Sequence, residues 1–151
     1  MAKIYVSSSW SNPYQRHLVE ALRQRSHDVY DFCRPNGRED KNVWDLLGIN
    51  KDGIQVSEFR DLMLDAYVQS RFNEHVEAMM DSDVCILLLP CNRSSHIEAG
   101  IMKGHGKPVL VLCNGDEPFK PELMYLFFDE IFDTEEELFT AITKYEQHQQ
   151  P

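Results

Sequence analysis

The feature that most constrains the fold of this chain is an uninterrupted run of six apolar residues, Val84 to Leu89. Consecutive side chains of a strand point to opposite faces, so a strand can be apolar throughout only if both faces are covered. Such strands are typical of parallel sheets with helices packed on both sides. The run is far shorter than the roughly 20 residues that cross a bilayer as a helix. It therefore predicts a central strand that is buried on both faces.

A β-α-β pattern opens the chain. Residues 3–8 form a short apolar strand signal, and Asn12-Pro13 is typical of a helix start with Asn12 as the N-cap. Apolar residues then recur with helical spacing up to Leu22, and a second strand is predicted over residues 29–32. The long segment 33–57 is rich in Pro, Gly and charged residues, so we expect a loop with at most one short helical turn.

Helical signals resume after this loop and continue to the central run. Ser57 is a candidate cap for a helical stretch that reaches Asp81. After the run, Ser94 and Ser95 are candidate caps for the next helix, whose Ile97 and Ile101 we expect to face the sheet.

The remaining signals complete the alternation of strands and helices. Buried strands are predicted over residues 108–112 and 127–132, and Thr134 with Glu137 forms a capping-box pattern for a final helix. The sequence thus predicts an α/β fold, namely a doubly wound, flavodoxin-like parallel sheet of about five strands flanked by helices. We expect one domain over residues 1–151.

The expected strand order places the ligand crevice. In the order 2-1-3-4-5, the crevice opens where the loops after strands one and three diverge. These loops are residues 7–12 and 90–95. The second loop also opens a helix, whose N–H groups and positive dipole end favour an anion.

Charge and cysteine content exclude several classes of function. The net charge of −10 disfavours nucleic acid and anionic membranes, but it leaves a small anionic ligand open. Much of the excess lies in residues 116–137, which contain nine acidic residues and one basic residue, Lys120. The four cysteines show no metal-binding spacing, so we expect neither a metal site nor disulfides. No signal segment precedes the first strand, which favours a cytoplasmic protein.

A longer block carries a resemblance to a known family. Residues 83–100 read DVCILLLPCNRSSHIEAG and are followed by GHGKP at 104–108. This block, with the first two strand signals, resembles the nucleoside 2-deoxyribosyltransferase-like family, a relative of Toll/interleukin receptor (TIR) domains. The resemblance implies that Glu98 is a catalytic carboxylate acting at the ribose while an N-glycosidic bond breaks. From its position alone, Glu98 could equally be a surface charge near a helix start.

One position departs from the family pattern. Relatives carry an aspartate three residues after the phenylalanine that matches Phe72, and this chain has His75 there. His75 is a candidate second catalytic residue that donates a proton or contacts the base, and a plain surface histidine is the alternative.

The remaining candidates are substrate-binding residues. Asn92, Arg93 and Ser94 could hold a phosphate or pyrophosphate at the helix start, although Arg93 could be a simple surface residue. The other candidates, whose alternatives are core packing for Trp10 and loop anchoring for Trp44, are Ser7, Ser8, Trp10 and Trp44. Cys91 with His96 is a weaker nucleophile hypothesis, because no third orienting group is evident.

Together these points predict an enzyme that cleaves the N-ribosidic bond of a nucleotide, most plausibly NAD as substrate rather than cofactor. The resemblance further implies release or transfer of an ADP-ribosyl product, a role in bacterial antiviral defence and a homo-oligomer. The alternatives are a 2-deoxyribosyltransferase that exchanges bases between deoxynucleosides and a non-catalytic nucleotide-binding or TIR-like assembly module. No cofactor is expected.

Overall fold

The computed structural model describes residues 1–37, 39–50, 52–115 and 118–148. The strands are β1 Lys3–Ser7, β2 Asp28–Tyr30, β3 Val84–Leu89, β4 Val109–Cys113 and β5 Glu130–Phe132. The helices are α1 Gln15–Gln24, α2 Val43–Leu46, α3 Val56–Leu62, α4 Ala66–Asp81, α5 Arg93–Gly104 and α6 Glu135–His148. Short 3₁₀ turns lie at Pro35–Gly37 and Leu123–Phe127.

All five strands form one parallel sheet in the order β2-β1-β3-β4-β5. This confirms the predicted fold class and strand order. β1 pairs with β3 so that Ser7 lies opposite Leu87. The chain leaves β1 and β3 toward opposite faces of the sheet, which opens the crevice predicted between their following loops.

The sheet divides the core into two apolar layers. Ile86 and Leu88 of β3 pack in the layer that holds Leu18 of α1 and Ile142 of α6. Leu87 packs in the other layer, together with residues of α4 and α5. Every side chain of β3 is buried, as the apolar run predicted.

Three predicted helix starts are wrong. α1 begins at Gln15, because residues 13 and 14 form a turn and Tyr14 is the residue that precedes the helix. The Asn12 oxygen accepts from the backbone N–H of Tyr14 within this turn, and its amide donates to the carbonyl of Pro90 (2.9 Å). Ser57 lies inside α3, whose start is capped by Gln55 and Glu58.

The third wrong start concerns α5. Asn92 is the N-cap residue, so Ser94 and Ser95 lie within the first turn. The helical stretch before β3 also forms two helices rather than one, since the first helix ends at Leu62. The Asp65 side chain then caps α4 by accepting from the backbone N–H groups of Tyr67 and Val68.

α5 also faces the sheet with a different side from the one predicted. Ile97 and Ile101 point outward, with 62% and 41% of their surface exposed, whereas Ser95, Ala99 and Met102 are buried. Small side chains at 95 and 99 allow a close approach of the helix backbone to the sheet.

The other elements differ little from their predictions. The loop over residues 33–57 contains the 3₁₀ turn and the single-turn helix α2. The hydroxyl of Thr134 accepts a hydrogen bond from the N–H of Glu137 at the start of α6, as predicted. β5 is shorter than predicted, because residues 123–127 form a 3₁₀ turn.

We expect the two-sided burial of β3 to dominate stability. Leu87→Ala should lower the free energy of unfolding by about 2–5 kcal/mol, because it leaves a cavity in a fully buried layer. Leu126→Ala is the matched control: Leu126 is 83% exposed, and its loss should cost less than about 0.5 kcal/mol. Urea denaturation of both variants measures the difference, and equal losses would contradict this account of the core.

Candidate active site

The predicted crevice is a cavity of about 1040 Å³ at the carboxyl ends of β1, β2 and β3. It lies between the β1 loop, the segment carrying α2, and the start of α5. Its lining includes eight of the predicted site residues, namely Ser8, Trp10, Trp44, His75, Asn92, Arg93, Ser94 and Glu98. The fold therefore brings predicted residues from four separate parts of the sequence to one cavity.

Glu98 is the carboxylate at the floor of this cavity. Its side chain is 21% exposed, so it is accessible yet surrounded by protein. Glu98 directly precedes Ala99, which packs on the sheet. Successive residues of a helix point in different directions around its axis, and from this position the carboxylate of Glu98 reaches Ser7 at the end of β1.

The predicted ribose contact of Ser7 is replaced by a contact with Glu98. Ser7 is fully buried and is absent from the cavity lining. Its hydroxyl lies 2.5 Å from Oε2 of Glu98 and 3.1 Å from the carbonyl of Ser95. A hydroxyl has one proton, and the shorter contact indicates donation to the carboxylate. Ser7 thus positions Glu98 from beneath.

His75 is the second titratable residue beside Glu98. Its Nδ1 lies 3.7 Å from Oε1 of Glu98 and 3.2 Å from the hydroxyl oxygen of Tyr5. The imidazole also packs against the rings of Tyr30 and Phe32. His75 is therefore held in the cavity by neighbouring aromatic rings rather than free on the helix surface.

Tyr5 is a site residue that the sequence reasoning missed. It is fully buried, and burial, with a smaller contribution from the charge of Glu98, raises the pKa of its hydroxyl well above the ordinary value. A neutral phenol keeps one hydrogen bond to donate, and Glu98 and His75 are the two groups within its reach. The sequence contains a sign of this role. Tyr5 and Ser7 are two residues apart in β1, so their side chains point to the same face of the sheet.

Aromatic rings form the side walls of the cavity. Trp10 contacts Phe32 edge to face, with ring centroids 5.2 Å apart, and Trp44 contacts Phe59 at 6.1 Å. Trp10 is partly exposed at the cavity rather than buried in the core. Flat apolar walls of this kind suit a nucleobase or a sugar ring.

The segment that carries Trp44 is tied to the body of the protein. The Asn42 side chain accepts from the Trp44 N–H (2.9 Å), which starts α2. Arg71 of α4 pairs with Asp40 just before it. Trp44 is therefore both a wall of the cavity and part of an anchored loop.

The start of α5 forms a polar rim. Asn92, Arg93 and Ser94 are exposed and line the cavity next to the helix N-terminus. Across the described residues, the Arg93 guanidinium has no ion-pair partner. Its donors are therefore free to bind an anionic group of a ligand.

The Cys91–His96 hypothesis finds no support in the geometry. Nδ1 of His96 donates to the carbonyl of Asn92 (3.0 Å), so in the neutral imidazole Nε2 accepts from the hydroxyl of Tyr125 (2.9 Å). Nδ1 is thus a donor and cannot act as a base toward the Cys91 sulfur, which lies 3.6 Å away. Burial raises the pKa of Cys91 to about 11, so its thiol stays protonated.

Within residues 1–37, 39–50, 52–115 and 118–148, no three His, Cys, Asp or Glu side chains are grouped as a metal ion would require. No helix in the same ranges is both long and apolar enough to span a membrane.

Comparison with known proteins finds similarity of structure alone. No protein-family model matches the sequence, and neither does any curated protein. A 2-deoxyribosyltransferase from Bacillus psychrosaccharolyticus matches with a TM-score of 0.59 and 18% identity, over 91% of this chain and 90% of that one. A conserved protein from Enterococcus faecalis matches with a TM-score of 0.60 and 19% identity, over 96% and 99%.

A third solved structure has a named activity on a nucleotide. The CMP N-glycosidase of Clostridium botulinum matches with a TM-score of 0.51 and 14% identity, over 93% of this chain and 98% of that one. At these identities the three matches establish a shared fold over nearly the whole chain.

Thiols and a tyrosine hydroxyl with raised pKa values predict an alkaline loss of stability. Burial raises the pKa of Tyr5, Cys85 and Cys91, and that of Cys33 to about 12. The native state then holds protons that the unfolded chain releases, so stability is complete below the ordinary thiol pKa of 9.0 and falls as pH rises above it.

Urea denaturation between pH 8 and pH 11 measures this loss. Cys85→Ala should make the decline in the free energy of unfolding shallower, whatever its effect at pH 8. An unchanged slope would show that Cys85 does not contribute.

Proposed function

We propose that this chain cleaves the N-glycosidic bond of a nucleotide, with Glu98 as the catalytic carboxylate. The observation that carries the proposal is the setting of Glu98, which is held by Ser7 from below and faces a cavity that also contains His75. In this proposal Glu98 acts at the ribose, His75 donates a proton to the base or contacts it, and Arg93 binds the phosphate.

The chemistry of the bond explains why a carboxylate is needed. Departure of the base leaves positive charge on the anomeric carbon and ring oxygen, in an oxocarbenium-like state. A carboxylate on the opposite face of the sugar can stabilise this charge or form a glycosyl ester that is then attacked by water or another acceptor. Donation by Ser7 fixes one oxygen of Glu98, which leaves the other to face the sugar.

His75 is suited to the leaving base. A neutral base departs more readily when it receives a proton, and an imidazole in the cavity can supply one. The positively charged nicotinamide of NAD needs no such proton. The requirement for His75 therefore distinguishes neutral bases from nicotinamide as leaving groups.

The rim favours a phosphate-bearing substrate over a bare nucleoside. Arg93, Ser94 and the N-terminus of α5 form one donor-rich surface beside the cavity. NAD is the specific substrate that we propose. With NAD, His75 would contact the nicotinamide rather than protonate it, and the reaction would release nicotinamide and pass the ADP-ribosyl group to water or another acceptor. The neighbour named as a CMP N-glycosidase supports a nucleotide substrate in general.

A 2-deoxyribosyltransferase is the second candidate, supported by the neighbour that bears this name. The histidine at position 75, where relatives have aspartate, argues against it. Mass analysis of products after incubation with NAD, with CMP, or with deoxyinosine plus adenine separates the candidates. A shift in melting temperature without any product would instead indicate a non-catalytic binding module.

We expect Glu98→Gln to abolish turnover and leave the fold intact. Loss of the central charge should lower kcat about a thousandfold or more, equivalent to about 4 kcal/mol in the barrier. Glu77→Gln, at an exposed carboxylate of α4 outside the cavity lining, is the control and should stay within about twofold of the wild type. Wild-type rates in Glu98→Gln would remove Glu98 from the mechanism.

Arg93→Ala should weaken nucleotide binding selectively. One charge-assisted hydrogen bond is worth about 1.5–3 kcal/mol, so Kd for CMP or NAD should rise about tenfold to a hundredfold. Affinity for cytidine, which lacks only the phosphate, should change little. Titration calorimetry in the Glu98→Gln background avoids turnover, and Arg60→Ala on α3 controls for the loss of a surface charge.

If Arg93→Ala weakens the binding of CMP and of cytidine equally, Arg93 does not bind the phosphate. If the wild-type protein binds cytidine more tightly than CMP, the 2-deoxyribosyltransferase alternative gains support.

A further inference from the structure

A second cavity, of about 430 Å³, lies on the other side of the segment that joins β3 to α5. Asn92, Arg93 and Ser94 line the cavity that contains Glu98, which we call the catalytic cavity. Pro90, Cys91 and His96 line the second cavity. The first turn of α5 therefore separates two distinct spaces. A volume of this size lies within the range of small-molecule sites.

Flat rings make up the walls of the second cavity. His96 and Tyr125 stack with centroids 5.7 Å apart and an interplanar angle of 10°. Phe119 lies against Tyr125 at 5.7 Å. The rings of Tyr14 and Pro90 face the same space. Walls of this shape accommodate a flat aromatic ligand better than a branched aliphatic one.

The His96–Tyr125 pair is held rigidly by its hydrogen bonds. Both imidazole nitrogens have partners, and the hydroxyl of Tyr125 donates to Nε2 of His96. The stacked pair is therefore fixed before any ligand arrives, which lowers the entropic cost of binding.

Two hydrogen-bond donors in the lining of the second cavity, on Tyr14 and Lys120, are available to a ligand. Among the described residues, neither the hydroxyl of Tyr14 nor the ammonium of Lys120 has a hydrogen-bond partner, and both side chains line the cavity. Lys120 is the one basic residue between positions 116 and 137 of the sequence. The described part of the lining includes no carboxylate. A matching ligand would present acceptors at its edge.

We propose that the second cavity binds a planar heteroaromatic ring with carbonyl or ring-nitrogen acceptors at its edge. This is the chemistry of a free nucleobase or a pyridine carboxamide. The ring lies against Phe119 and the His96–Tyr125 pair, and Tyr14 and Lys120 donate to its edge. Binding at this site does not depend on whether Glu98 cleaves any bond, so the inference goes beyond the proposed function.

Ligand-observed saturation-transfer NMR with nicotinamide, cytosine and adenine tests the site and shows which ring class it prefers. At least one should bind the wild type saturably, while cyclohexanecarboxamide, which keeps the amide but lacks a flat ring, should not. Phe119→Leu should weaken binding about tenfold through loss of stacking. Phe119 is 42% exposed, so this variant should fold. Lys120→Met removes a donor and is a second, independent variant.

Trp44→Leu, in the wall of the catalytic cavity, is the matched control. It should leave binding of the ring unchanged, and CMP should not displace the ring. The proposal is overturned if none of the three rings binds, if cyclohexanecarboxamide binds equally well, or if Trp44→Leu and CMP abolish binding while Phe119→Leu and Lys120→Met do not. None of these outcomes bears on the Glu98→Gln result, so the two proposals fail separately.

Discussion

The burial of β3 on both faces is the constraint on which the rest of the structure depends. Six consecutive apolar side chains require a helix layer on each side of the sheet, and this requirement sends the chain to opposite faces after β1 and β3. The crevice at their carboxyl ends follows from that divergence. The cavity that contains Glu98 is thus a consequence of how the core is covered, and it lies at the end of the fully buried strand β3.

The hydrogen bond between Ser7 and Glu98 joins this core to the candidate chemistry. Ser7 ends β1, and Glu98 reaches it only because α5 packs closely through Ser95 and Ala99. Tyr5 lies two residues earlier on the same face and contacts His75. A polar group enclosed in this way must be hydrogen-bonded, so these partners fix the geometry of the carboxylate as well as its environment. A small movement of α5 would therefore disturb both the packing on the sheet and the position of the Glu98 carboxylate.

The segment from Pro90 to His96 has two different faces. One face carries the guanidinium of Arg93 toward the cavity that contains Glu98, and the other carries His96 toward the second cavity. The N–H of His96 Nδ1 donates to a backbone carbonyl, so this nitrogen cannot act as a base toward Cys91. One short stretch of chain thus supplies recognition groups to one space and ring surfaces to another.

The sequence by itself determined the fold class, the strand order, the place of the crevice and most of the residues around it. Apolar periodicity and the order of strands and helices suffice for these, because they follow from burial and chain connectivity. Only the tertiary structure decided the outward position of Ile97, the contact of Ser7 with Glu98 and the closeness of His75 to that carboxylate. Helical spacing shows which residues share a face, but close packing through small side chains selects the face that meets the sheet. Contacts between residues 7 and 98 also depend on the register of separate elements, which no local pattern encodes.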